Sequence, residues 1–208
     1  MDETDVEILE RKTVFRGYFR IDAYRLRHRL FAGGWSHEFS REVFERGHAV
    51  AVLLYDPARD AVIMIEQFRV GALAAGKPPW VRELVAGIID EAESPEDVAR
   101  REALEEAGCT IGEMLPVAQY MVSPGCSSET VRIFAALVDS GGVGGIHGLA
   151  EEHEDIRVSV VPWIEIRADL AARRFDNAIT IVGLQWLALN RERLRPSCPT
   201  PAPPPALP

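Results

Sequence analysis

Apolar and polar residues alternate with a period of two through the first forty-odd positions. Tyr24, Leu26, His28 and Leu30 are separated by Arg25, Arg27 and Arg29. After a Gly33-Gly34 turn, Trp35, His37, Phe39, Arg41 and Val43 alternate with Ser36, Glu38, Ser40 and Glu42. That period predicts strands with one covered and one wet face. An antiparallel unit this small needs a partner surface, because isolated hairpins are marginal in water. From position 48 the pattern changes. Residues 48–55 are an almost unbroken apolar run, and the turn at 56–60 links them to residues 61–68, so the two read as central strands of a hairpin. Further strands are predicted at 83–86, 117–122, 131–138 and 156–161. Ser94 is a good N-cap and Pro95 suits the first helical position, so a helix is predicted to run to Ala107 and stop at Gly108. A short helix is predicted at 164–173. Asp176 is predicted to cap another, with Ile179, Val182, Trp186 and Leu189 on one stripe. The pattern is that of a mixed α/β domain, strands preceding and flanking two or three helices.

Composition narrows the classes. The 208 residues allow one domain plus an appendage, and 47% hydrophobic with 26% charged residues is ordinary globular usage. Lys and Arg number 23 against 32 Asp and Glu, a net charge of −9 with no basic stripe, which argues against a nucleic-acid partner. No apolar run approaches the roughly 20 residues needed to cross a bilayer, and no basic segment leads into an apolar one at the start, so neither a membrane partner nor a cleaved signal is expected. Cys109, Cys126 and Cys198 are an odd number without CxxC spacing, which fits a reducing cytoplasm better than a disulfide framework or zinc knuckle. Half of the 14 prolines fall in residues 196–208, read as a disordered or polyproline-like tail. The expected organisation is an N-terminal β-domain over 1–46, a larger α/β domain over 47–195 and the tail.

The chemistry lies in residues 87–109. Glu102 and Glu106 stand one turn apart on the predicted helix, with Glu105 beside Glu102. Like charges at this spacing destabilise a helix by a few tenths of a kcal/mol, and in the second half of a helix the dipole disfavours them too. Val98, Ala99, Ala103 and Ala107 run alongside, small enough to pack on a sheet, so the carboxylates are expected at the edge of a packed surface. A divalent cation resolves the conflict, since Mg²⁺ takes hard oxygen ligands, water and substrate phosphate. The bland alternative is a solvated acidic face.

The full spacing favours the cation. Gly87, five residues, Glu93, seven residues, Arg101-Glu102, then Glu105-Glu106 and Gly108 match the Nudix box at each of its seven charged and glycine positions, with Ala103 and Cys109 filling the two hydrophobic ones weakly. Chance would give the seven on the order of once in a million in such a chain. The sequence thus resembles the Nudix hydrolases, which cleave a nucleoside diphosphate linked to another moiety. The resemblance implies an α/β/α sandwich with a mixed sheet. It also implies Mg²⁺ (or Mn²⁺), two or three ions per site, held by Glu102, Glu105, Glu106 and the Ala86 carbonyl. Gly87, Glu93, Arg101 and Gly108 would be structural, with Glu93 and Arg101 paired.

Three further segments resemble the bacterial ADP-ribose pyrophosphatases within that superfamily. Pro124-Gly125 follows Gly108 at their spacing, residues 145–158 look like their catalytic loop, and residues 14–30 and 36–48 look like their dimerising β-domain. This implies a homodimer in which each subunit helps line the other's site. It implies Glu152 as general base and Glu154 as an auxiliary catalytic or metal ligand. Arg69, Arg41, Pro124 and Gly125 would bind the substrate, and Tyr18 would stack on the adenine. Glu129 has no assigned role. GDP-mannose or another nucleoside-diphosphate sugar is the alternative substrate, and a non-catalytic nucleotide-binding module the alternative of another class.

Overall fold

The computed structural model describes residues 1–90 and 92–195; the proline-rich tail lies outside them. Two sheets form. The first has three antiparallel strands in the order β1 (Val6–Arg16), β2 (Arg20–His28), β3 (Phe39–Glu45). The strand expected to begin at Trp35 begins instead at Phe39, and Trp35 makes only an isolated bridge to Arg29. The guanidiniums of Arg27 and Arg29 lie over its ring at 5.0 and 4.3 Å, and residues 31–38 form a loop.

The second sheet has eight strands and is built around β4 (His48–Asp56), buried except at His48. β4 pairs in parallel with β9 (Thr130–Leu137) and antiparallel with β5 (Ala61–Phe68). β8 (Met114–Met121) lies outside β9, and β11 (Ile156–Pro162) and the short β10 (Gly145–His147) lie outside β5. The strand expected at 83–86 is two. β6 (Trp80–Glu83) follows β5 and β7 (Val85–Ile89) follows β4, with the switch at Leu84. The Leu84 N–H there is satisfied by the Thr180 hydroxyl at 3.2 Å.

Alternation along β4 explains the sandwich. Val50, Val52 and Leu54 face one way, onto Val98, Ala99, Ala103 and Ala107 of α2 (Pro95–Ala107). Leu53 and Tyr55 face the other way, onto Trp163 and Ile166 of α3 (Trp163–Ala171) and Leu184 and Leu187 of α4 (Ala178–Leu194). Here α1 denotes the single turn Val70–Ala74, which the sequence pattern did not indicate. Each fully buried Val, Leu or Ile contributes roughly 1.5–3 kcal/mol, so the two packed faces dominate stability.

α2 is as expected at both ends: the Ser94 hydroxyl accepts from Asp97 N–H, and Gly108 takes the left-handed conformation (φ 65°). On α4 two expectations are corrected. The cap is Asn177, not Asp176, and the fully buried line is Thr180, Gly183, Leu184 and Leu187; of the expected stripe, Ile179, Val182 and Trp186 pack partly buried beside it, while Leu189 is 87% exposed. A Cβ on Gly183 would lie 2.5 Å from Leu84 Cδ1, so the glycine lets α4 sit down on Leu84.

Candidate active site

β7 and α2 bring the motif carboxylates against the sheet. A Cβ on Gly87 would sit 2.1 Å from Glu102 Oε1, so only glycine lets that carboxylate lie on the strand. Glu106 is 2% exposed. It accepts from the Ala86 N–H at 3.0 Å and the Gln67 amide at 3.3 Å. Burial, with the charges of Glu102 and Glu154 adding to it, pushes the Glu106 carboxyl up to about 8. Burial likewise pushes Glu102 up to about 7, and Glu105 and Glu154 add repulsion. Arg101 offsets part of this. Its guanidinium reaches Glu102 at 2.9 Å, Glu105 at 3.1 Å and Glu93 at 3.3 Å, so the Glu93–Arg101 pair is present and ties the loop before α2 to the helix.

The donor set suits a hard divalent cation: carboxylate oxygens crowd at a packed edge, where desolvation and mutual repulsion oppose the ionisation of Glu102 and Glu106. Among the described residues no three acidic, His or Cys side chains already stand in ligand geometry. Glu102 and Glu105 are turned onto Arg101, and a cation would compete with that guanidinium for them.

The loop after β10 closes over this edge. Gly148 N–H donates to the Glu105 carbonyl at 3.3 Å, pinning the loop to the last turn of α2. A 3-10 turn, Ala150–Glu152, follows, and His153 takes a left-handed conformation (φ 58°). This bend turns the half-buried Glu154 back. Its carboxylate accepts from Leu149 N–H at 3.2 Å, and its charge acts on both Glu102 and Glu106. Glu151 and Glu152 point to solvent, and Glu152 makes no side-chain hydrogen bond among the described residues.

The expected substrate residues are spread more widely. Arg69 caps α1, bonds Glu83 through Nε at 2.7 Å and lies close enough to Glu106 to ease its ionisation. Tyr18, 88% exposed at the β1–β2 turn, borders a cleft of about 720 Å³ with Phe19, Arg46, His48, Ile88 and Glu93. The cleft touches the motif at Glu93 but does not include Glu102, Glu105 or Glu106. Arg41 does not line it either; it lies over the Phe39 ring at 4.7 Å and donates to the Ser40 carbonyl. Pro124 and Gly125 sit in the turn between β8 and β9, which is tied to β3 by the Phe44 N–H bond to the Cys126 carbonyl at 2.8 Å. Glu129, buried there, pairs with Arg46 at 3.2 Å. Tyr18, Arg41 and Arg69 therefore do not converge within one chain.

Sequence reasoning missed Gln67, Glu83 and Asn177. The available signal was a polar residue in or beside an apolar strand run, since buried polar groups require partners.

A NUDIX domain family model matches residues 45–180. The chain is 49% identical over 193 residues to the ADP-ribose pyrophosphatase of Escherichia coli (strain K12), covering 93% of this chain and 92% of that protein. It is 42% identical over 198 residues to the ADP-ribose pyrophosphatase of Haemophilus influenzae, covering 94% and 91%. It is 33% identical over 186 residues to the GDP-mannose pyrophosphatase of Pectobacterium atrosepticum, covering 86% and 92%. Among solved structures, an ADP compounds hydrolase superposes with a TM-score of 0.70 at 21% identity, covering 92% of this chain and 97% of that one; this likeness concerns the fold.

Proposed function

Because this chain belongs to the NUDIX family, we propose that it hydrolyses the diphosphate of ADP-ribose to AMP and ribose 5-phosphate. The observation that carries the reading is the carboxylate edge of buried Glu106 and partly buried Glu102 and Glu105, with Arg69 beside it and Glu154 folded onto it. A divalent cation, Mg²⁺ or Mn²⁺ and two or three ions per site, held by Glu102, Glu105, Glu106, Glu154 and the Ala86 carbonyl, would supply charge neutralisation and a more acidic water.

The chain's own residues do the rest. Ala86 N–H and Gln67 fix the Glu106 carboxylate. Arg69 offers its guanidinium to the phosphates. Water attacks a phosphorus, the bond from that phosphorus to the bridging oxygen breaks, and Glu152 accepts the water's proton when its loop folds in. Glu152 is free for this because nothing else engages its carboxylate, whereas Glu154 is committed to the edge.

A second copy of the chain completes the site. Of the side chains in β1, β2 and β3 only Asp22 is buried, and Val6, Ile8, Val14 and Phe15 are exposed. A sheet with so little core needs cover, and a homodimer would supply it. A partner would bring Tyr18 and Arg41 toward Arg69 of the other subunit. The free Cys109 and Cys126 fit a reducing cytoplasm, and no helix among the described residues is long and apolar enough to cross a membrane.

One assay tests the reading: product analysis with ADP-ribose and GDP-mannose side by side, with Mg²⁺ and with EDTA. AMP and ribose 5-phosphate formed only with Mg²⁺, and faster than GDP-mannose is cleaved, is the expected result. Preference for GDP-mannose makes the chain a nucleotide-sugar pyrophosphatase of the alternative class. No turnover of either reduces it to a binding module.

A further inference from the structure

We propose that Glu83 and Asn177 clamp Arg69 in the orientation that receives the diphosphate, making Asn177 a positioning residue for substrate binding. The inference rests on the reading of Arg69 given above.

Glu83 ends β6 with its carboxylate almost wholly buried. A buried carboxylate persists only when paired and hydrogen-bonded. It has two donors, Arg69 Nε at 2.7 Å and the Asn177 side-chain amide. Arg69 is also fixed through its main chain: its N–H donates to the Pro79 carbonyl at 2.7 Å, and its carbonyl accepts from Ala72 and Leu73. Among the described residues the guanidinium makes no other hydrogen bond. Its two terminal nitrogens stay free, and its charge is felt at Glu106. An arginine held by Nε and open at both Nη groups presents the fork that grips phosphate oxygens in pairs.

Asn177 reveals the division of labour. Its Oδ1 accepts from Thr180 N–H at 3.0 Å and so caps α4. Thr180 in turn holds the Leu84 N–H. Serine or aspartate would cap the helix as well, so capping alone does not call for an amide. The amide adds a donor, and that donor goes to Glu83. Asn177 therefore reaches the substrate only through Glu83 and Arg69.

The test separates cap from clamp. Asn177→Ser keeps a capping oxygen but withdraws the amide nitrogen from Glu83, because the hydroxyl ends one bond from Cβ. Losing the restraint on one long side chain is expected to weaken binding by roughly 3–10-fold. KM for ADP-ribose should rise by that factor with kcat within about twofold. Kd for ADP-ribose titrated in EDTA, where no turnover occurs, should rise in parallel. In an Arg69→Ala background, Asn177→Ser should change neither quantity further, because the route to substrate is already cut. Asn177→Asp, which also caps but repels Glu83, should shift KM in the same direction and serves if the serine variant folds poorly. A full additional effect in the Arg69→Ala background, an unchanged KM, or a fall in kcat at constant KM overturns the clamp alone. If the unaltered chain neither binds nor cleaves ADP-ribose, the functional reading fails and takes the clamp with it.

Discussion

Replacing Glu106 by Gln should destroy activity and, without metal at alkaline pH, stabilise the fold. Glu106 is 2% exposed and its carboxyl is pushed from an ordinary 4.5 to about 8, first by burial and then by the charges of Glu102 and Glu154. At 1.36 kcal/mol per unit, the raised carboxyl costs the fold about 3 kcal/mol at pH 7, where it must take up a proton, and about 5 kcal/mol above pH 8, where it is ionised. The sign follows from the proton count. Between 4.5 and 8 the folded chain holds a proton that the unfolded chain has released. Stability from this group is therefore complete below 4.5 and is lost as pH rises through 8. Gln never ionises. Its carbonyl can take the Ala86 N–H, and the Gln67 amide needs only to flip to avoid facing another donor. In EDTA, the melting temperature of Glu106→Gln should equal that of the unaltered chain near pH 4. By pH 8.5 it should exceed it by about 10–20 °C, at roughly 2–4 °C per kcal/mol for a chain this size. Saturating Mg²⁺ should close that gap by stabilising only the unaltered chain, while kcat of the variant falls at least about 10³-fold. Scanning calorimetry across pH, with and without Mg²⁺, measures the first part and an assay of AMP and ribose 5-phosphate formation the second. A variant less stable than its parent at pH 8.5 in EDTA, or one with near-native turnover, would refute the account of the edge.

Gly87→Ala places a Cβ 2.1 Å from Glu102 Oε1 and must swing that carboxylate off the strand. We expect at least a tenfold loss of kcat and a higher Mg²⁺ requirement, with a melting temperature close to the parent's because only a side chain moves. Removing residues 1–45 should yield an aggregate or an inactive monomer, read by sedimentation and activity; a stable monomer at full rate would end the shared-site reading. Glu152→Gln should lose about 10²–10⁴ in kcat with KM and metal binding little changed, while Glu151→Gln should lose under about tenfold.

The fold was legible wherever burial imposed a period. β4 and β5 are continuous apolar runs because helices cover both faces, whereas the alternation along β2 and β3 predicted strands but not their burial, since only Asp22 is buried there. Legibility stopped where a contact distant in sequence decided the outcome. The break at Leu84 depends on a hydroxyl 96 positions away. Gly183 lets α4 approach Leu84, and the expected stripe lies at the flank of the buried face: Ile179, Val182 and Trp186 pack on the core, and Leu189 falls past its edge. β10 has three residues, too few for any period to show.

The candidate site divides in the same way, and the loop acids show why. Glu102, Glu105 and Glu106 share one helix, so spacing alone puts them together. Glu152 and Glu154 lie two apart on an irregular segment, where spacing says nothing about direction. What decides direction is His153 in the left-handed region and Gly148, whose absent side chain leaves room for Glu154, since a Cβ there would lie 2.7 Å from Glu154 Cβ. That bend commits Glu154 to the carboxylate edge and leaves Glu152 in water. Ligand and base thereby receive opposite environments, and one substitution can separate them. Glu154→Gln removes a charge that raises both Glu102 and Glu106, so it should lower the pH at which those carboxylates ionise. It should also weaken Mg²⁺ binding, so its rate should recover in part at high Mg²⁺. Glu152→Gln should show no such recovery, because the loss of a proton acceptor is not repaired by more metal. The measurement is kcat against Mg²⁺ concentration for both variants. Rescue of Glu152→Gln by Mg²⁺, together with a collapse of Glu154→Gln that Mg²⁺ does not relieve, would exchange the two roles.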